Sequence, residues 1–174
     1  MITFPKAKIN LGLRVIRKRP DGFHDIETVF YPIDFRDALE FVVQPENSHE
    51  DEIVVTGHNI QIRPEKNLVI RAFKKLRQHH PLPFFRIHLH KAIPSGAGLG
   101  GGSADAACVL KTINKHFSLS IDDDMLKRLA LELGSDCPFF LNSQPSLASG
   151  RGEILKPLDP FLRGFRIVLL NPRI

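Results

Sequence analysis

Apolar side chains occupy every second position from residue 7 to residue 13, with polar residues or glycine between them. This two-residue period predicts a half-buried strand. The sequence Arg19-Pro20-Asp21-Gly22 then predicts a turn, because proline presets one backbone dihedral and glycine accepts a positive φ. A second extended segment, residues 26–33, is therefore expected to return beside the first.

Further strands are predicted over residues 40–44, 53–56 and 85–89, and helices follow them. Asn67 is expected to cap a helix whose apolar residues recur at helical spacing. Two more helices are predicted after residue 102. The second begins near Asp122 and ends at Gly134, a residue type suited to a left-handed C-terminal position. Strands in a run followed by helices favour an α+β fold, a mixed sheet packed against helices, over a regularly alternating α/β fold.

The end of the chain carries an apolar run at residues 165–170, which has the character of a buried strand. A buried strand needs neighbours on both sides. We therefore expect residues 1–160 to form one domain and residues 161–174 to begin a second, truncated one.

The most informative segment is Pro94 to Ala107, which contains five glycines between residues 96 and 102. Glycines allow sharp bends and a close approach of the backbone to a ligand. The first N–H groups of the helix that follows have no partner within the helix, and the helix dipole adds positive potential there. The segment therefore predicts a phosphate-binding loop.

Two common phosphate-binding motifs do not fit this loop. A Walker A loop requires lysine before Ser or Thr, and no lysine lies between Pro94 and Cys108. Gly96, Gly98 and Gly101 match the dinucleotide fingerprint G-x-G-x-x-G. That motif also requires a second strand directly after the helix, whereas residues 117–121 lead into another helix.

The composition restricts the possible classes of function less than the glycine-rich loop does. The net charge of +5 suits a protein that handles anions, either phosphate esters or nucleic acid. Phenylalanines fall mainly in apolar registers and basic residues are scattered, so nucleic-acid binding is not expected. Neither a signal peptide nor a membrane-length apolar run is evident. Two isolated cysteines, Cys108 and Cys137, favour a reduced, cytoplasmic protein.

The sequence from Pro94 to Ser103 resembles the central motif of the GHMP kinases, and Pro5 to Leu11 resembles the first motif of that family. Gly22-Phe23-His24 and the run from Gly134 to Pro138 are most similar to the member that phosphorylates a cytidine diphosphate ester in non-mevalonate isoprenoid biosynthesis. The resemblance implies an ATP- and Mg²⁺-dependent small-molecule kinase with the family's N-terminal fold, which is of the ribosomal protein S5 domain 2 type. Family members continue into a second domain, so this chain alone is expected to have weak or no activity.

Lys8 and Asn10 share the polar face of the first predicted strand and can project into one cleft. Taken alone, Lys8 is a solvated strand lysine and Asp136 a turn or capping residue. The resemblance instead implies that Asp136 is the catalytic base and that Lys8 helps to activate the hydroxyl. A nearby lysine would also keep an aspartate ionised.

The resemblance implies that Phe23 and His24 hold a cytosine ring, with Asn10 also at the substrate. The predicted ATP-binding set is the loop with two further residues: Pro94, Ser95, Gly96, Ala97, Gly98, Leu99, Gly100, Gly101, Gly102, Ser103, Ala104, Asn67 and Lys91. Lys91 is included because it ends the strand before the loop and falls on its apolar register. No residue is a convincing metal ligand; Ser103 is only a candidate, and His88 and His90 are expected to be solvated.

Two alternatives remain open. Another GHMP-type kinase, acting on mevalonate, homoserine or a sugar, shares the glycine loop, although Gly22-Phe23-His24 speaks against it. A nucleic-acid-binding module without catalytic activity is the less favoured interpretation. The oligomeric state is not predicted.

Overall fold

The computed structural model describes residues 1–58 and 63–171. The strands are β1 Ile2–Thr3, β2 Lys6–Lys18, β3 His24–Arg36, β4 Ala38–Val43, β5 Glu52–Gly57, β6 Phe85–Lys91, β7 Ser146–Ser149 and β8 Ile154–Pro157. The helices are α1 Leu68–Arg77, α2 Gly101–His116, α3 Asp123–Leu133 and α4 Cys137–Asn142, with a short 3₁₀ turn at Pro64–Lys66 before α1.

The strands form two four-stranded sheets. The first has the order β1-β4-β6-β5, in which β5 and β6 are parallel and the other pairs antiparallel. The second has the order β2-β3-β7-β8 and is antiparallel throughout. The predicted α+β class and mixed sheet are therefore confirmed, as is the return of the second strand beside the first.

Strand β6 anchors the main core because its side chains alternate strictly between buried and exposed. The ring of Phe85 packs 4.7 Å from Phe73 of α1, and Phe41 of β4 meets both rings edge-on. Edge-to-face aromatic pairs contribute beyond their buried area. This cluster fixes α1 against the first sheet.

The predicted helix caps are present. The Asn67 side chain accepts a hydrogen bond from the N–H of Val69 at 2.9 Å, and Asp122 accepts one from Met125 at 2.7 Å. Each satisfies a donor that the helix cannot. Gly134 ends α3 as predicted, but its conformation was predicted wrongly: φ is 173°, an extended value, because the chain turns directly into α4.

Sequence patterns did not reveal α4, β7 or β8, which have only four to six residues each. The predicted burial of the apolar face of β2 was wrong beyond Leu11, because every residue of β2 from Gly12 to Lys18 is exposed. Residues 165–170 form no strand in the described part of the chain; with no strand beside them, their backbone groups have no ladder to join. Among the described residues, no helix has the length and apolar character needed to cross a membrane.

Truncating the aromatic cluster should destabilise the protein strongly. Phe41 is fully buried, so Phe41→Ala is expected to lower the free energy of unfolding by about 3–5 kcal/mol, through lost burial and the cavity that remains. Urea unfolding followed by circular dichroism measures the change. Phe165→Ala, at an exposed position, is the control and should have almost no effect. Equal stability of the two variants would contradict this account of the core.

Candidate active site

Lys8 lies near the start of β2 with its ammonium almost fully buried. The Nζ atom donates a hydrogen bond to Asn10 Oδ1 at 2.6 Å and lies 3.3 Å from Asp136 Oδ2. It also sits 4.7 Å from the centre of the Phe30 ring, a favourable position for a cation. The prediction that Lys8 and Asn10 project into one cleft agrees with this geometry, and Lys8 is not a solvated strand lysine.

Asp136 precedes α4 at the cap position, but its side chain does not cap the helix. Its carboxylate instead faces Lys8 and keeps about a third of its surface exposed, enough for contact with a ligand. Burial raises the pKa of the neighbouring Cys137 thiol to about 11, so this group stays protonated near neutral pH. Asp136 thus provides an accessible carboxylate beside Lys8.

The glycine loop runs alongside Lys8. The backbone N–H of Lys8 donates to the carbonyl of Leu99 at 3.0 Å, which ties the loop to β2. Within the described residues, no protein acceptor receives the backbone N–H groups from Gly98 to Gly102. These donors lie at the N-terminus of α2, where the helix dipole is positive. The loop therefore presents free N–H groups beside the Lys8–Asp136 pair.

Gly100 shows why this approach requires glycine. Its φ is +71°, and a Cβ there would lie 2.6 Å from the Phe140 ring and 3.3 Å from Cε of Lys8. Both the positive φ and the lack of space exclude larger residues. The close contact brings the start of α2 directly against the lysine.

Lys91 occupies a second buried site, beneath the loop. Its ammonium contacts Asp37 and lies 2.8 Å from Asp105 Oδ2. The other oxygen of Asp37 accepts the N–H groups of Ala92 and Ile93 at 2.7 and 2.8 Å. These contacts hold the chain where it enters the loop. Direct ATP binding by Lys91 stays a prediction, but the ammonium already has two carboxylate partners.

Comparison with known proteins shows which proteins this chain resembles. Residues 67–144 match the family model described as "GHMP kinases N terminal domain", which contains the loop and Asp136. The chain is also similar, at 49% identity over 172 residues, to a 4-diphosphocytidyl-2-C-methyl-D-erythritol kinase from Bacteroides fragilis. The alignment covers 99% of this chain and 63% of that protein. Residues 67–144 therefore form a GHMP kinase N-terminal domain.

Solved structures agree on the fold. A crystal structure of a 4-(cytidine 5'-diphospho)-2C-methyl-D-erythritol kinase matches with a TM-score of 0.73 at 37% identity, covering 97% of this chain and 61% of that one. A mevalonate kinase matches with a TM-score of 0.61 at 16% identity, covering 91% and 56%. The second match shows the shared fold alone. The present chain spans about 63% of the length of the curated relatives that it matches.

Phe23 and His24 lie at the far end of the β2–β3 hairpin. The turn before them is ordered, since the Arg19 N–H donates to the Phe23 carbonyl at 2.8 Å and Asp21 accepts the Phe23 N–H at 3.1 Å. Both side chains are exposed, and within the described residues the His24 ring has no hydrogen-bond partner. They remain available to a ligand, although no direct contact joins them to Asp136.

Asn67 caps the start of α1, and Ser103 lies in the first turn of α2. Asn67 borders a small cavity of about 90 Å³ that Lys91, Ser95 and Gly102 also line, and its place near the nucleotide stays a prediction. The Ser103 hydroxyl instead interacts with the thiol of Cys137. Among the residues that the structure describes, no cluster of acidic, histidine or cysteine side chains could hold a metal by itself. The rings of His88 and His90 both contact the Thr56 hydroxyl at an exposed position.

Sequence reasoning missed the carboxylate partners of Lys91 and the residue that holds Asn10. Asp37 and Asp105 lie 54 and 14 residues from Lys91, and Thr28 continues the polar network by accepting from Asn10 at 3.1 Å. No local pattern marks these residues. Each is a polar residue within a mainly apolar stretch of sequence, but such residues are also frequent at protein surfaces.

The Lys91 cluster should make stability depend on pH. It contains one ammonium and two carboxylates, and burial together with the Asp37 charge outweighs the attraction of Lys91, raising the pKa of Asp105 to about 7 from an ordinary value of 3.8. The folded protein therefore binds a proton at Asp105 more readily than the unfolded chain does. The contribution of Asp105 to the free energy of unfolding should rise as the pH falls from 8 towards 5.

Asp105→Asn removes this titration and should flatten the slope by up to ~1.4 kcal/mol per pH unit over that range. Urea unfolding at pH 5, 6, 7 and 8 measures it. Asp124→Asn, an exposed carboxylate on α3, is the matched control and should keep the slope of the unsubstituted protein. An unchanged slope in the Asp105→Asn variant would show that Asp105 does not titrate in this range.

Proposed function

We propose that this chain is the nucleotide-binding and catalytic part of a kinase that transfers a phosphoryl group from ATP to the 2-hydroxyl of 4-diphosphocytidyl-2-C-methyl-D-erythritol. This reaction belongs to non-mevalonate isoprenoid precursor synthesis. The names of the similar proteins support the substrate. The observation that carries the proposal is the Lys8–Asp136 pair, 3.3 Å apart beside a loop with free backbone N–H groups.

The loop supplies the phosphate site of this proposal. Phosphoryl transfer depends mainly on positioning and on neutralising negative charge. The N–H groups from Gly98 to Gly102 are fixed before ATP binds, so they need little reorganisation when charge develops on the transferred group. The nucleobase of ATP would lie towards Asn67, whose Oδ1 already accepts from Val69 while its NH₂ group has no acceptor in the described part of the chain.

Asp136 acts in this mechanism as the base that accepts the proton of the attacking hydroxyl. Lys8 orients the carboxylate and places a positive charge where the alkoxide forms. Asn10 holds the ammonium from the other side and is itself held by Thr28. These contacts hold Lys8, Asn10 and Asp136 in a fixed geometry, so the reacting groups are already positioned when the substrate binds.

Mg²⁺ is compatible with this site as an ion carried mainly by the nucleotide. It commonly binds through phosphate oxygens, water and one or two protein ligands, so a dedicated protein cluster is not required. When bound, it would neutralise part of the phosphate charge. Ser103 remains the candidate ligand, provided that its hydroxyl leaves Cys137.

The Phe23 and His24 side chains would hold the cytosine of the substrate. An exposed aromatic ring offers a stacking surface, and an unpartnered imidazole can bond to the polar edge of the base.

Another GHMP-type kinase activity is tested by ADP release over a panel containing mevalonate, homoserine and galactose. A cytoplasmic location and a second domain beginning at residue 161 stay predictions.

Removing the proposed base should abolish transfer without unfolding the protein. Asp136→Asn keeps the shape of the side chain but not its charge, so phosphoryl transfer is expected to fall by at least about 10²-fold. Single-turnover transfer from radiolabelled ATP at high protein concentration detects even the slow reaction expected of this chain. Asp124→Asn is the control and should retain the full rate. Undiminished transfer by the Asp136→Asn variant would remove Asp136 from the mechanism.

The cytosine site is tested at His24. His24→Ala should weaken binding of the cytidine substrate by about tenfold, because a hydrogen bond to the base is lost. Affinity for a non-hydrolysable ATP analogue should not change. Calorimetric titration measures both ligands. His88→Ala, at an exposed histidine of β6, is the matched control, and equal cytidine-substrate affinity of the two variants would argue against the assignment.

A further inference from the structure

The turn between β7 and β8 lies along the proposed acceptor site. It contains Gly150, Arg151 and Gly152, and it is fixed to its surroundings: the N–H of Ile26 donates to the Gly150 carbonyl at 2.7 Å. Glu153 accepts the backbone N–H of Arg151 at 2.6 Å. These hydrogen bonds therefore fix the position of the turn relative to the neighbouring strands.

At one end, the turn reaches the proposed cytosine site. The guanidinium of Arg151 lies over the Phe23 ring, 4.6 Å from its centre. Phe23 nevertheless remains about half exposed, so ring surface is left for a second group. This cation–aromatic contact places the arginine head beside the position proposed for the nucleobase.

At its other end, the turn reaches the proposed catalytic residues Lys8 and Asp136. A Cβ on Gly152 would lie 3.7 Å from Asp136 Oδ1 and 3.3 Å from the ring of Phe30, which itself faces Lys8. Consecutive Cα atoms are only about 3.8 Å apart. Arg151 therefore extends from a point next to Asp136 towards Phe23, across the space between the two proposed subsites.

The guanidinium of Arg151 has no ion-pair partner in the described part of the chain. Neighbouring carboxylates bond to other groups: Glu153 bonds to the backbone of the turn, and Asp21, which Arg151 attracts without a direct bond, is bonded to Arg19. By contrast, the Lys8 and Lys91 ammonium groups have carboxylate partners. The Arg151 side chain therefore keeps donors available for an anionic ligand.

We infer that Arg151 binds the diphosphate that joins the nucleoside to the acceptor alcohol, and so positions both ends of the substrate. This inference rests on the proposed function, because it takes the nucleobase to lie at Phe23 and the hydroxyl at Asp136. The linking group of such a substrate must cross the turn. A guanidinium suits it, since its planar array of donors matches two phosphate oxygens at once.

The test compares cytidine with cytidine 5'-diphosphate by calorimetric titration at low ionic strength. Arg151→Gln should weaken diphosphate binding about tenfold and leave cytidine binding unchanged. Arg151→Lys should restore part of the loss, because the charge returns without the planar fork. The difference in affinity between the two ligands should also depend less on salt in the Gln variant. Arg86→Gln, an exposed arginine of β6, is the matched control and should change neither affinity.

Each other outcome has a distinct meaning. Equal loss for cytidine and its diphosphate in Arg151→Gln would show that Arg151 only shapes the Phe23 site, and would overturn the inference. Unchanged diphosphate affinity would do the same, while cytidine binding that depends on His24 would leave the proposed function standing. If the unsubstituted protein bound neither ligand, the proposed substrate class would be wrong and the inference would fall with it.

Discussion

The buried ammonium of Lys8 is the constraint on which the rest of the site depends. Burying a lone charge costs several kcal/mol unless partners replace the lost water. Here the partners come from separate parts of the chain: Asn10 from β2, the Phe30 ring from β3 and Asp136 from the start of α4. The same residue holds the loop through its backbone bond to Leu99. Through its backbone and its ammonium, Lys8 therefore connects the loop, the second sheet and the short helix.

The two buried lysines differ in the solvent exposure of their carboxylate partners. The Asp37 and Asp105 side chains are at most 2% exposed, whereas Asp136 is 32% exposed. Removing one partner of a sealed pair typically costs about 3–5 kcal/mol, because the remaining charge is left buried without compensation. A pair with one open carboxylate can meet a ligand. The same ion-pair chemistry thus supports the base of the glycine loop on one side and the proposed reaction on the other.

The acceptor side of the site is built differently, from exposed elements. The β2–β3 hairpin carries Phe23 and His24 at its outer end, while the turn after β7 approaches it from the neighbouring strand. The outer end of the hairpin is largely exposed, and among the described residues it meets the turn through contacts such as the Ile26–Gly150 bond and the Arg151–Phe23 pair. Elements with few buried contacts open at lower free-energy cost than a packed core. The nucleotide side is therefore expected to be more rigid than the side that receives the cytidine ester.

The sequence by itself determined the features that depend on neighbouring residues. Alternation predicted β6, the polar side chain of Asn67 predicted a cap, and the glycines before α2 predicted a loop with free backbone donors, because each signal operates over a few positions. Resemblance to the GHMP kinases selected Lys8 and Asp136 for the chemistry.

Only the tertiary structure decided which partners each charged group has. Lys8 and Lys91 are both strand lysines in the sequence, but one meets an open carboxylate and the other is enclosed by Asp37 and Asp105. The short elements α4, β7 and β8 were not predictable either, since α4 is held by packing against α2 and α3, and β7 and β8 by pairing in the second sheet, rather than by their own periodicity. Long-range contacts bring distant residues together, and neither periodicity nor local propensity records them.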